Sequence, residues 1–414
     1  MASTSGSGSL KRQLGVSDAV VIGAGSMIGA GVFAAWAPAA RAAGDGLLIG
    51  LAIAGVVAFC NATSSAQLAA IHPESGGTYV YGRKQLNLFW GHLAGWGFVV
   101  GKTASCAAMA LTIGAYLTPG NARFTAVLAV AVITAVNLGG LTRTVAVTRV
   151  LLVVSLSALA VIVYTAIDFD GAVAFIGPAP GEADLRGVLQ SAGFLFFAFA
   201  GYARIATLGE EVRDPARTIP IAIPLALFGV LALYAIVGVT MLDAVGAEGL
   251  AASSAPLRSV FFGNDDLEWV VQAGAGIASL GVLLNLIPGV SRTAMAMARN
   301  RELPGWFAHV DGERALPLRA ELTVAAVVVA LVLTLDIRSS IAVSGVAILT
   351  YYAVTNAAAL TLSADQRRWP RGIAVVGLVG CVVLVASLPA SALVGGLIVL
   401  GLGVIAGVAA RAGA

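Results

Sequence analysis

Charged residues are scarce in this 414-residue chain. Lys, Arg, Asp and Glu together make up only 11% of it, whereas 59% of the residues are apolar. A soluble protein carries about 25% charged residues, so this composition excludes a water-soluble body of this size and predicts an integral membrane protein. The apolar runs are long and continuous, which disfavours a β-barrel built from roughly 10-residue alternating segments.

Cysteine and histidine are also rare, with three of each. Cys60, Cys106 and Cys381 all lie inside apolar runs, and we interpret them as small core residues. The histidines are scattered, so no metal-ligand spacing arises, and no metal or other cofactor is expected. No convergent His, Cys or carboxylate set suggests an enzyme, and no Gly-rich nucleotide loop suggests an ATP-driven pump.

Long apolar runs bounded by charge, proline or glycine predict membrane-spanning helices throughout the chain. After a tail of residues 1–16, we predict an all-α protein with twelve spans, at about 17–40, 46–71, 87–117, 122–139, 146–167, 187–212, 219–242, 267–298, 320–335, 339–362, 372–388 and 391–410.

Lys and Arg are divided unequally between the two sides of these spans. With the N-terminus in the cytoplasm, 17 of the 24 lie on the cytoplasmic side, and five lie outside: Arg41, Arg123, Arg186, Arg258 and Arg338. A cytoplasmic excess of Lys and Arg is the usual determinant of orientation. We therefore expect both termini in the cytoplasm and the protein in the cytoplasmic membrane. The net charge of +3 is explained in this way and gives no reason to expect nucleic acid.

The connection between spans 8 and 9 differs from the other loops. Residues 299–309 mix charge with Trp306 and Phe307. This pattern predicts an interfacial half-turn or short amphipathic helix, and an ordinary polar loop is the alternative.

Two spans contain features that interrupt a membrane helix. Span 1 has four glycines between Gly23 and Gly31, each unfavourable in a helix interior, and span 6 places Gly201 close to Arg204. Each opens a block of five spans, and interrupted helices at matching positions of two halves indicate a transporter site. Close packing of small residues is the alternative explanation for the span 1 glycines.

An unwound turn inside a membrane frees main-chain groups that lipid cannot satisfy. Facing a water-filled cavity, such groups can bind a zwitterion. The N-terminal end of a half-helix carries partial positive charge and suits a carboxylate. Freed carbonyl groups at the opposite end suit an ammonium group.

At these residues the chain resembles the amino acid–polyamine–organocation (APC) superfamily of amino acid permeases. The resemblance lies in residues 22–33, 73–81, 91–96, 196–201 and 210–220, of which the last is the most specific. It implies a leucine-transporter-type core of two inverted five-helix repeats (17–167 and 187–362), with helices 1 and 6 broken. Two further helices (372–410) follow, and transport proceeds by alternating access.

The resemblance also implies a substrate site at the two interruptions. The substrate carboxylate would meet the main chain around Met27, Gly29, Ala30 and Gly31, and the α-ammonium would meet carbonyls near Phe197, Ala200 and Gly201. Phe197 corresponds to a gating aromatic, with a core Phe as the alternative. Phe197, Phe199 and Tyr202 would line an apolar side-chain pocket.

Two departures from the family pattern put a transferred coupling mechanism in doubt. Many relatives carry a Lys in span 5 where this chain has Ser155. Some place an acidic residue after the Gly-aromatic pair of span 6, where this chain has Ala203 and Arg204.

Ionisable residues within spans are costly, so each is a functional hypothesis. Lys102, about fifteen residues into span 3, is a candidate proton carrier or a replacement for the missing span 5 cation. A structural lysine that reaches a carboxylate or water is the alternative. Arg204 stays protonated and is expected to pair with Glu210 or Glu211 or to line the cytoplasmic pathway. These two carboxylates suggest an ion-pair gate or, alternatively, a solvated helix end.

We found no Asp or Glu near the expected site, and a cationic substrate would need one because a lone buried charge is costly. The sequence therefore predicts a permease that imports a neutral amino acid, with H+ as the expected coupling ion and Na+ left open. An acidic amino acid is not excluded. Exchange of amino acids without net ion coupling is the first alternative, and a transporter-like receptor or sensor is the second. The lipid bilayer is the other expected partner, and the oligomeric state is left open.

Overall fold

The computed structural model describes residues 14–74, 76–139, 145–167, 184–206, 212–261, 267–310 and 317–412. Within these ranges the chain is helical and has no β-strand; Leu14 and Val212 form an isolated bridge. The all-helical prediction is therefore confirmed.

Sixteen α-helices occupy the described residues. They are α1 (Val16–Met27), α2 (Ala30–Ala34), α3 (Trp36–Ala43), α4 (Leu47–Ile71), α5 (Thr78–Gln85), α6 (Leu88–Leu117), α7 (Ala122–Leu138), α8 (Val145–Ala166), α9 (Leu185–Phe199), α10 (Ala203–Ala206), α11 (Pro215–Ala252), α12 (Glu268–Arg299), α13 (Leu318–Thr334), α14 (Ile337–Leu360), α15 (Arg371–Ser387) and α16 (Ala390–Ala412).

Several of these helices are suited to a membrane. Among the described residues, nine helical segments have the length and hydropathy needed to cross a bilayer, and α9 and α15 are shorter apolar helices. The protein is therefore a multi-pass membrane protein.

Two elements differ from the predicted boundaries. Helix α11 begins before and ends after the predicted run of 219–242, because Pro215 is well placed in a first helical turn and the helix continues into more polar sequence. Gly246, at φ 68°, marks a kink near its end. The eight-residue helix α5 lies in a connection, where a search for long apolar runs cannot detect it.

Helix α6 is the most enclosed long helix of the bundle. Every residue from 101 to 116 is buried, and α6 packs against α12 and α14. Lys102 is the fifteenth residue of this 30-residue helix, so it lies at mid-helix as predicted. Cys60, Cys106 and Cys381 are buried in the core, which confirms their interpretation as core residues.

The connection after α12 contains a short 3-10 helix, Gly305–Ala308. Trp306 is 56% exposed, and the Arg319 guanidinium lies 4.6 Å from the centre of its ring. This geometry favours the predicted short interfacial element over an ordinary loop.

Candidate substrate site

The first predicted interruption is a two-residue gap between α1 and α2. Ile28 leaves helical geometry (φ −77°, ψ 78°), and Gly29 is extended (φ −142°, ψ −147°). Beyond this first break (residues 28–29), the helix continues from α2 into α3, since the Ala35 amide donates to the Gly31 carbonyl over 2.9 Å. Span 1 is therefore two half-helices that meet at residues 28–29.

The second predicted interruption lies between α9 and α10. Helix α9 begins at an N-cap in which the Asp184 carboxylate accepts from two backbone amides, and it ends at Phe199. In the second break (residues 200–202), tight turn bonds replace helical ones: the Ala200 amide donates to the Phe197 carbonyl over 3.3 Å. Helical geometry resumes at Ala203.

Glycine allows the two breaks to touch. A methyl group on Gly201 would overlap the carbonyl oxygen of Ser26, and one on Gly31 would lie 2.6 Å from the Cα of Ala198. The main chains of the two interrupted helices are therefore in direct contact. From the sequence, close packing was the alternative explanation for the span 1 glycines. In the structure, Gly31 and Gly201 allow close packing right beside the helix breaks.

One tyrosine hydroxyl serves main-chain carbonyls of both interrupted helices. The Tyr234 hydroxyl, on α11, lies 2.8 Å from the Met27 carbonyl oxygen and 3.2 Å from that of Ala198. Its ring lies 5.1 Å from that of Phe199. A buried hydroxyl needs a partner, and here its single proton is shared between carbonyl groups near the ends of α1 and α9.

The buried Lys102 ammonium lies at the second break. Its Nζ donates to the Ala200 carbonyl oxygen over 3.1 Å, and the Tyr352 hydroxyl approaches the same oxygen at 3.4 Å. Lys102, the ionisable residue of span 3, thus contacts Ala200, one of the residues whose carbonyls were predicted to bind the substrate ammonium.

Aromatic side chains enclose this region. Phe197 is 7% exposed, and Phe199 and Tyr202 are fully buried. The Tyr202 ring lies 5.1 Å from that of Tyr352. These aromatic rings pack together beside the second break.

The remaining predicted residues lie on α8 and α10 or outside the description. Ser155 is buried on α8, where its hydroxyl donates to the Leu151 carbonyl over 2.8 Å. Arg204 lies exposed on α10. Glu210 and Glu211, its predicted partners, lie outside the described residues. The side chain of Ala30 is likewise outside the description, whereas its main chain begins α2.

The half-helices have the polarity that a zwitterion requires. The N-terminal end of α2 and the C-terminal ends of α1 and α9 all face the two breaks. Helix N-termini carry partial positive charge and C-termini partial negative charge. Opposite partial charges therefore lie close together in the middle of the bundle.

Sequence reasoning did not find Tyr234 and Tyr352. A tyrosine in an apolar span signals a hydroxyl that needs a partner. The partner itself is not readable, because Tyr234 is 207 positions from Met27.

Apolar helices arranged around two interrupted ones define a membrane transporter. The family model described as "Amino acid permease" matches residues 14–406, so the chain belongs to the amino acid permease family. An uncharacterized transporter of Mycobacterium tuberculosis is 57% identical over 399 residues, which are 96% of this chain and 91% of that protein.

Two more distant relatives carry substrate names. The branched-chain amino acid permease BcaP of Bacillus subtilis is 25% identical over 77% of this chain and 73% of its own length. The cationic amino acid transporter 6, chloroplastic, of Arabidopsis thaliana is 26% identical over 84% of this chain and 65% of its own length. The family is thus shown, while these two names point to different substrates.

Proposed function

We propose that this permease imports a neutral amino acid by alternating access. The observation that carries the proposal is the direct main-chain contact of the two interrupted helices beside their breaks. Transport then requires these half-helices to move relative to the rest of the bundle, which exposes the site first to one side and then to the other.

In this proposal the main chain binds the charged ends of the substrate. The carboxylate binds at the N-terminal end of α2, around Met27, Gly29, Ala30 and Gly31. The ammonium binds at the C-terminal end of α9, near the carbonyls of Phe197, Ala200 and Gly201. Because Lys102 already donates to the Ala200 carbonyl, an arriving ammonium must displace it or use neighbouring carbonyls.

A neutral side chain is supported by the apolar lining of the site. Phe197, Phe199 and Tyr202 offer buried aromatic surface and no anion for a distal cation. The name of the branched-chain permease is consistent with this assignment.

The proposed topology has twelve spans in the cytoplasmic membrane with both termini in the cytoplasm. Spans 1–5 and 6–10 form two inverted repeats, each opened by a broken helix, and spans 11 and 12 complete the bundle. The distribution of Lys and Arg supports this orientation.

Lys102 is the proposed site of proton coupling. It is buried at mid-helix and contacts the second break, so gain or loss of its proton changes a contact within the site. Exchange without net ion coupling is the second candidate, and Ser155 favours it because this position lacks the cation of many relatives.

Uptake by purified protein in liposomes tests these assignments. A labelled panel of neutral, acidic and cationic amino acids is supplied with and without an inward proton gradient. We expect gradient-driven accumulation of neutral amino acids. Uptake that needs only amino acid on the opposite side would establish exchange, and binding without uptake would establish a receptor.

A further inference from the structure

A second polar feature lies along the half-helix formed by α2 and α3, away from the first break. A cavity of about 380 Å³ opens between α3, the α6–α7 connection, the end of α11 and the α13–α14 connection. The charged residues of its lining are three arginines and one acid: Arg41, Arg123, Arg338 and Asp336. The cavity thus collects three of the five arginines that the sequence places on the outer side.

Neighbouring groups hold the three guanidinium groups in place. Arg41 donates to the Ala251 carbonyl oxygen, and Arg123 donates to that of Leu333 over 3.0 Å. The Arg338 guanidinium lies 5.7 Å from the centre of the Phe194 ring. A guanidinium has five N–H donors, so each retains donors beyond these contacts.

Among the described residues, the three arginines of this cavity have no ion-pair partner. By contrast, Arg258, on the same side, pairs with Glu268 over 2.6 Å. The Asp336 carboxylate accepts from the Ser339 amide over 2.7 Å and so caps α14. Three cations and one anion leave the lining with a net charge of +2.

The cavity lies next to the proposed substrate site, on the side that the sequence predicts to be outside. Its lining includes Ala34, which follows Ala30 by four residues, or about 6 Å along a helix. Arg41 lies twelve residues beyond Gly29, or about 18 Å along a helix, so a solute that enters from this side passes the arginine-lined cavity before it reaches the first break.

We infer that this cavity is a charge filter that excludes cationic amino acids and polyamines and admits α-amino acids with neutral or acidic side chains. A cleft lined by one sign of charge raises the local concentration of opposite charge and lowers that of like charge. A neutral amino acid keeps its carboxylate and has no net charge to repel, whereas lysine and arginine carry a net positive charge. The inference rests on the proposed function and assigns its substrate class.

The rates at which charged thiol reagents modify an introduced cysteine measure the charge of the cavity, and this measurement does not require transport. Ser254 lines the cavity and is exposed, and the native cysteines are buried. In detergent, where both faces are accessible, Ser254→Cys is treated with an anionic (sulfonatoethyl) or a cationic (trimethylammonioethyl) methanethiosulfonate, and rates are normalised to a free thiol. Leu185→Cys, exposed on the same side but outside the lining, is the matched position.

We expect the normalised anionic-to-cationic rate ratio to be at least threefold higher at Ser254→Cys than at Leu185→Cys. Arg123→Gln and Arg338→Gln should each lower it by about tenfold, because one charge at roughly 6 Å in water changes the anionic and the cationic rate about threefold each, in opposite directions. Arg123→Lys should preserve the ratio, because it keeps the charge while it changes the side chain. Arg186→Gln should also preserve it, because Arg186 is an outer arginine that does not line the cavity. Equal ratios at the two cysteines, or a ratio unchanged by Arg123→Gln, would overturn the inference.

Competition then connects the charge with substrate choice. Lysine should compete weakly with labelled leucine in the wild-type protein and about threefold more strongly in Arg123→Gln. Lysine that competes as well as leucine in the wild type would refute the filter. If no amino acid is taken up at all, the proposed function fails, while the rate ratio still reports the charge of the cavity.

Discussion

The ammonium nitrogen of Lys102 lies 3.1 Å from the carbonyl oxygen of Ala200. An amine donor therefore satisfies a carbonyl group at the point where span 6 leaves helical geometry. The contact joins α6, the most enclosed long helix, to the second break, and it gives a buried charge a specific partner.

Replacing Lys102 tests its role in coupling. Lys102→Ala should abolish accumulation driven by a pH gradient and spare substrate binding, because the titratable group is lost while the substrate-binding main chain remains. Lys102→Gln keeps a donor that does not titrate and should behave in the same way. Uptake and equilibrium binding are measured in parallel, with Lys84→Ala, an exposed lysine on α5, as the control. Accumulation that persists in Lys102→Ala would reject Lys102 as the proton carrier.

The contact between the breaks predicts strict sensitivity at Gly201. Gly201→Ala places a methyl group against the Ser26 carbonyl, so the main chains must separate. We expect a loss of about 1–3 kcal/mol of stability and at least a tenfold loss of uptake. Gly229→Ala is the matched control, because a methyl group on Gly229 meets no atom within 4 Å. Uptake is compared at equal amounts of folded protein; equal effects of the two substitutions would contradict the contact.

The hydroxyl of Tyr234 predicts a measurable contribution to stability. Tyr234→Phe keeps the ring against Phe199 but leaves the carbonyls of Met27 and Ala198 without this donor. The hydroxyl has one proton to share between them, and the Met27 carbonyl keeps the Gly29 amide as a donor. Loss of one such hydrogen bond costs about 0.5–1.5 kcal/mol, so thermal unfolding in detergent should occur at a lower temperature. Tyr164→Phe, at a tyrosine that is 64% exposed, should have little effect. Should the two variants unfold at the same temperature, the Tyr234 contacts contribute nothing.

His92 links α6 to the C-terminal helix. Its Nδ1 lies 3.3 Å from a carboxylate oxygen of Glu302, and its Nε2 lies 2.9 Å from the Gly403 carbonyl oxygen. The ring therefore bridges a buried carboxyl group and a main-chain carbonyl of α16. His92→Ala should therefore destabilise the protein by about 1–3 kcal/mol, whereas the exposed His309→Ala should not. Thermal unfolding in detergent compares the two variants, and equal unfolding temperatures would contradict this role of His92.

Local sequence determined the helices and the places where they are interrupted. Long apolar runs require helices because lipid offers the backbone no partners, and glycine clusters or a glycine beside a charge interrupt them. These short-range effects were sufficient to locate both breaks and the mid-helix position of Lys102. They were not sufficient for α5, whose eight residues form no long apolar run.

Only the tertiary structure decided which distant groups meet. The sequence showed that Lys102 and Gly201 stand out in apolar segments, and it did not single out Tyr234. Each of the three contacts a main-chain group on another helix. It likewise counted Arg41, Arg123 and Arg338 as separate outer charges, and packing of the bundle brought them to one cavity. Hydropathy is a property of each segment alone, whereas such contacts depend on how helices far apart in the chain pack together.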